Sequence, residues 1–230
     1  FYIVTLTDIS SEKRKLQLEK IFIHDLVNSA GGISGLSDIL EFSENEESKK
    51  EVVDIIGKAS KVLLEQILSF RNILSAESGE LEVTNLELQS NDVIDEASSL
   101  ISSNKELKAN IAKFPNSENI TLISDRVLLS RILVNMLKNA AEAEGNADSV
   151  ISIGSTKKGG IVRFWVNNKK AIPEDVQKQI FQRSFSTKGS NRGLGTYSMK
   201  LLGENYLKGN VGFTSNEAEG TFFYVELPCA

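Results

Sequence analysis

Cysteine and histidine occur once each in 230 residues, and the chain has neither a basic block nor a long apolar run. A lone cysteine, Cys229, excludes an intrachain disulfide and argues against a cysteine-rich metal site. Apolar runs stop short of the roughly 18 uninterrupted residues of a membrane helix, and no signal peptide is evident. The stretch therefore reads as soluble, without direct membrane contact. Twenty-six basic against 31 acidic residues give a net charge of −5, which argues against a nucleic-acid backbone as partner. What is present is ordinary globular composition, 40% hydrophobic and 25% charged, in a length that suits one or two domains. The first residue is Phe1 rather than methionine, so a longer parent protein is expected.

The single histidine lies in Phe22 to Leu40, FIHDLVNSAGGISGLSDIL, with Asp25 beside it and Asn28 one turn on. At about 100° per residue His24, Asn28, Gly31 and Gly35 share one helical stripe, while Phe22, Leu26, Ile33 and Leu40 fall roughly opposite. A helical glycine costs about 1 kcal/mol against alanine, so Gly31, Gly32 and Gly35 ask for a reason such as close approach of another backbone. A neighbouring carboxylate can fix an imidazole's tautomer and leave the other ring nitrogen able to attack. A surface histidine on an amphipathic helix is the plainer alternative.

FYIVTL at the start reads as a short strand, followed by helix from about Ser11 to Leu40. After the polar break EFSENEES, a helix from about Lys49 to Ser75 carries Val52, Ile56, Ala59, Leu63, Ile67, Phe70 and Leu74 as one apolar seam. Two antiparallel helices of roughly 40 Å cannot bury both seams on each other, and a homodimeric four-helix bundle solves this. A monomeric hairpin docked on the rest of the chain is the alternative. Beyond Ser78 to Glu80 the pattern changes to a mixed α/β domain. Strand is expected over Leu81 to Leu88, helix over Asp92 to Ile111, strand over Asn119 to Ile123 and helix over Asp125 to Ala143. Hairpins are expected around KKGG and at Val211 to Leu227, with helices at Pro173 to Phe181 and Gly195 to Asn205 between them.

Asn135 and Asn139 stand one turn apart on the fourth of these helices, where two amides can converge on one ligand. The Asn139 carbonyl oxygen suits a hard cation such as Mg²⁺. Later, SFSTKGSNRGLGTYSMK places Gly189, Gly193 and Gly195 with Lys188 and Arg192 just before a helix. Glycine-rich backbone entering a helix N-terminus with cations nearby is a phosphate cradle. A surface loop is the alternative.

HDLVN, NMLKNAAEA, FQRSFSTKG and RGLG, followed by EGTFFYVELP, stand in the order of the boxes of a sensor histidine kinase, and Ser11 to Pro228 resembles that family. TDISSEKRKLQLEK is similar to the end of a PAS sensor domain. The resemblance implies three parts: the end of a PAS-like domain (1–10), a dimerisation and phosphotransfer hairpin (11–78), and a Bergerat-type α/β sandwich that binds ATP (79–230). It implies that His24 is phosphorylated, that Asp25 is its base or orienter, and that Asn28 positions water for dephosphorylation. Asn139 would bind Mg²⁺ with Asn135 nearby, and Lys188, Arg192, Gly193 and Gly195 would line the phosphates. The partner would be a response-regulator receiver domain. Hydrolysis by the ATP domain alone would be slow, because Asn135 stands where ATP-hydrolysing relatives carry a glutamate.

The family's first glycine box, Asp-x-Gly-x-Gly-Ile-Pro, is degraded. Aligned on Ala171-Ile172-Pro173, Asn167 replaces the aspartate that meets adenine, and Lys169 and Ala171 replace the glycines. A neutral contact is roughly half as strong as a charge-assisted one, so weakened nucleotide affinity is expected. Three functions follow: an ATP-dependent autokinase, a non-enzymatic phosphorelay or phosphatase protein with a vestigial nucleotide site, or a dimeric signalling scaffold.

Overall fold

The computed structural model describes residues 10–43, 45–103, 107, 110–145, 149–182 and 194–229. The strand expected over FYIVTL and the PAS-like signature up to residue 9 lie outside them. One compact unit ends at Leu81 and a second begins at Glu82.

The first unit is a helical hairpin of α1 (Ser10–Phe42) and α2 (Glu46–Glu77), each about 50 Å long at 1.5 Å per residue. Asn45 caps α2, its side chain accepting from the Glu47 N–H at 2.9 Å, and Glu46 and Glu47 favour the positive end of the helix dipole. Phe22, Leu26, Ile33, Leu36 and Leu40 of α1 are half-buried, as are Val52, Ile56, Ala59 and Leu63 of α2. Phe22 stacks on the buried Phe70 with ring centroids 3.6 Å apart and planes 12° from parallel. Ile67, expected in the seam, is 40% exposed, because the helical drift between Leu63 and Phe70 turns it to the flank. It joins Val53, Val62, Leu64 and Leu68 of α2, and Ile23, Val27 and Ile39 of α1, as large apolar side chains that this chain leaves uncovered. Among the described residues no helix is long and apolar enough to cross a membrane.

The second unit is a Bergerat-type α/β sandwich. A short antiparallel ladder pairs β1 (Leu86–Gln89) with β3 (Thr121–Ser124). The main sheet has the order β2-β4-β5-β7-β6, from β2 (Asn110–Lys113), β4 (Val150–Lys158), β5 (Ile161–Asn168), β6 (Asn210–Asn216) and β7 (Gly220–Pro228). Only the β2–β4 pairing is parallel; the other ladders of this sheet are antiparallel.

The helices α3 (Ser90–Ser102), α4 (Arg126–Glu144) and α6 (Gly195–Lys200) supply the second layer, a π-helical turn at Leu201–Tyr206 extends α6, and α5 (Glu174–Gln177) is a single turn. Leu129, Ile132, Leu133, Met136 and Leu137 of α4 are fully buried, as are Ile151 and Ile153 of β4 and Val162 and Phe164 of β5. Each such side chain contributes roughly 1.5–3 kcal/mol, so α4 is fixed tightly on the sheet. Asp125 caps α4 by accepting from the Leu128 N–H at 2.9 Å, and Gly145 ends it at φ 71°.

The helix expected over Asp92 to Ile111 is shorter than its pattern. Ser99 and Ser103 turn their hydroxyls to backbone carbonyls of Asp95 and Leu100, an option that weakens helix ends. Further on, Asn110–Lys113 gains a full ladder with β4 instead. Pairing in the sheet outweighs weak local propensity here.

Candidate functional site

On α1, His24, Asn28, Gly31 and Gly35 are exposed, opposite the half-buried Phe22, Leu26, Ile33 and Leu40. The Asn28 side-chain nitrogen lies 3.2 Å from His24 Nδ1. An amide can reverse with no change of shape. Reversed, its oxygen accepts from Nδ1–H and leaves Nε2 with the lone pair a nucleophile needs. A Cβ added at Gly31, Gly32 or Gly35 would meet nothing within 4 Å, so no described part of this chain explains the glycines by close approach. Asp25 follows His24 on α1, and its side chain lies outside the described residues.

In the second unit α4 carries Asn135 and Asn139, both half-buried. The Asn139 Nδ2 is buried with no hydrogen-bond partner among the described residues. Its Oδ1 lies 3.8 Å from where a Cβ on Gly195 would stand, so glycine at the start of α6 keeps the space before that oxygen open. A buried orphan donor and an oxygen facing a gap form half of a polar site. An amide oxygen is a ligand for a hard cation, so these residues fit Mg²⁺. Lys188, Arg192 and Gly193 lie outside the described residues.

At the end of β5 the alternation of side chains decides which asparagine faces α4. Val162, Phe164, Val166 and Asn168 point inward, and Asn168 is buried. Asn167 points to the other face, its Nδ2 donating to the carbonyls of Glu219 and Thr221 at 3.1 Å each. The fold therefore brings Asn135, Asn139 and Gly195 together on the α4 side and does not bring Asn167 there. Asn168 stands there instead, its Nδ2 donating to Glu144 Oε1 at 3.3 Å. The same carboxylate oxygen accepts from the backbone N–H of Lys169 at 2.7 Å and of Lys170 at 3.1 Å.

Burial pushes the Glu144 carboxyl up, but hydrogen bonds from Ser149, Asn168, Lys170 and Lys169 outweigh it and hold the group below its ordinary 4.5. A depressed carboxyl contributes stability that is full above the unfolded value and is lost as pH falls through the folded one. Acid unfolding followed by circular dichroism is thus expected to show a loss of stability beginning below pH 4.5. Glu144→Gln is expected to flatten that part of the curve.

Glu144 and Asn168 escaped the motif reading, although the alternation of VRFWVNN already puts Asn168 on the core face. A family model described as histidine kinase-, DNA gyrase B- and HSP90-like ATPase matches residues 124–230. The chain is 24% identical over 242 residues to the sensory histidine kinase/phosphatase NtrB of Rhizobium meliloti, covering 98% of this chain and 61% of that protein. The chain carries the catalytic core of a sensor histidine kinase. This kinase core is also 22% identical over 221 residues to the sensory/regulatory protein RpfC of Xanthomonas campestris pv. campestris, covering 90% of this chain. It spans 30% of the length of RpfC. Among solved structures it matches the catalytic domain of the histidine kinase ThkA at TM-score 0.55 and 27% identity, over 65% of this chain and 97% of that one. Its fold matches ThkA in complex with the response regulator protein TrrA at TM-score 0.75 and 21% identity, covering 100% of this chain and 68% of that one. The ATPase-like domain makes ATP the nucleotide of the kinase core.

Proposed function

We propose that this kinase core is an ATP-dependent protein-histidine autokinase that phosphorylates His24 and passes the phosphoryl group to an aspartate of a response regulator. The observation that carries the reading is the exposed His24–Asn28 pair, in a chain whose ATPase-like domain holds the Asn139 amide before the Gly195 gap. His24 Nε2 attacks the γ-phosphorus in line. An N–P bond forms, the bond to the ADP oxygen breaks, and the ring proton leaves through Asp25 or water. Asn139 would hold Mg²⁺, which when bound neutralises charge on the phosphates. The second transfer gains support from the ThkA complex, whose named partner is a response regulator. Incubation with γ-labelled ATP and Mg²⁺ tests the reading. Acid-labile, alkali-stable label on the chain is expected, and its absence would overturn it.

The working unit is a homodimer. Ile23, Val27, Val53, Leu64 and Leu68 are exposed on helices that cannot cover them within one chain, and pairing two hairpins into a four-helix bundle buries such faces. Sedimentation at micromolar concentration is expected to give a dimer. Leu64→Glu should shift it to monomer.

Removal of phosphoryl groups from the regulator is the second reading, favoured by the 3.2 Å contact that holds Asn28 beside His24. With Asn28→Ala, regulator dephosphorylation is expected to slow by at least about tenfold, as for loss of one positioning group. An unchanged rate counts against the role.

A further inference from the structure

We propose that Glu144 is a positioning residue for the nucleotide, holding the backbone of residues 168–172 as a preformed wall for the base beside the C-terminal end of α4. The proposal rests on the reading of the chain as an ATP-using kinase core.

A carboxylate is out of place at this position. Glu144 is the last residue of α4, where the helix dipole disfavours negative charge, and no basic residue stands in the last turn. It is also 7% exposed, and burying a charge is costly unless several donors meet it. Four donors do: the N–H groups of Lys169 and Lys170 and the side chain of Asn168, these three on Oε1, and the side chain of Ser149. The recipient of this arrangement is the backbone after β5.

That backbone is gripped elsewhere too. The Lys170 carbonyl accepts from Thr221 Oγ1 at 2.7 Å, and the Ile172 N–H donates to Ser215 Oγ at 2.8 Å. The Ile172 carbonyl accepts from Gln177 Nε2 at 2.7 Å. Gly220, at φ 77°, lets β7 come so close that a Cβ there would lie 2.8 Å from Lys169 Cα. Elements α4, α5, β6 and β7 thus hold a five-residue segment that contains no glycine, while the side chains of Lys169 and Lys170 stay exposed.

Glu144 lies five residues beyond Asn139, about 7.5 Å along the helix at 1.5 Å per residue. In this proposal the nucleotide lies along α4 with its phosphates at Asn139 and its base toward the helix C-terminus, where residues 168–172 stand. Holding that wall in place before binding removes the ordering cost from the binding step. Loss of Glu144 should weaken contacts to the base and spare those to the phosphates.

Calorimetric titration of the full chain with ATP and with inorganic tripolyphosphate separates the two ends. Glu144→Gln is expected to weaken ATP about tenfold and Thr221→Val a few-fold, since each removes part of the grip, with tripolyphosphate affinity unchanged in both. Equal loss for ATP and tripolyphosphate in both variants would reduce Glu144 to a general structural role and overturn the proposal. So would unchanged ATP affinity in Glu144→Gln. If Glu144→Gln does not fold, Thr221→Val decides alone by the same split. A native chain that binds no ATP would instead overturn the kinase reading and this proposal with it.

Discussion

His24→Ala is expected to abolish phosphorylation of the chain by γ-labelled ATP and to leave ATP affinity as it was. The sequence has no other imidazole to take over. Neighbouring carboxylates and hydroxyls would form acyl phosphates or esters, with acid and alkali stabilities different from those of an N–P bond. His24 is exposed on α1, so its removal breaks no buried packing, and Asn139 belongs to the other compact unit. Autoradiography with parallel calorimetry reads both quantities. Label retained by His24→Ala would move the nucleophile elsewhere, and lost ATP binding would make His24 part of the nucleotide site.

Asn139→Ala is expected to lower the rate of autophosphorylation by about 10²–10³-fold, the scale of removing one preorganised group from charge that develops in a transition state. The amide supplies both an oxygen that faces the Gly195 gap and a buried nitrogen without a partner. Alanine removes both and fills neither. Because an unpaired donor is lost from the interior, thermal stability should hold or rise slightly, which separates this variant from general damage. Single-turnover rates at saturating ATP and a melting curve check the pair of expectations. Gly195→Val should reproduce the rate loss, by closing the same space from the α6 side.

The long helices were legible because their apolar positions repeat at helical spacing over about five or six turns, as from Phe22 to Leu40 and from Val52 to Leu74. Helix α4 was legible for a second reason, since Asp125 before it and Gly145 after it are cap residues. β2 was not, because Asn110–Lys113 has no signal of its own and becomes strand only by pairing with β4. At the site, Asn135 and Asn139 could be placed from their spacing, as one turn of helix is a local matter. Asn167 and Asn168 could not be told apart by motif alignment. Which of two adjacent strand residues faces α4 depends on the phase of the whole strand, set by Val162, Phe164 and Val166 beneath the helix. Glu144 carried no local mark at all, since its partners Lys169 and Lys170 lie 25 and 26 residues away.

The sheet order also sets a timetable. In the hairpin, α1 meets α2 across the short link from Ser43 to Asn45, so its contacts need little chain to be organised first. The main sheet is different: β2 must wait for α4 before β4 can lie beside it, and β5 must wait for α6 and β6 before β7 returns to pair with it. Closing such distant loops is slow. The helical hairpin is therefore made early, and the α/β unit is completed only when the last strand, Gly220–Pro228, takes its place between β5 and β6.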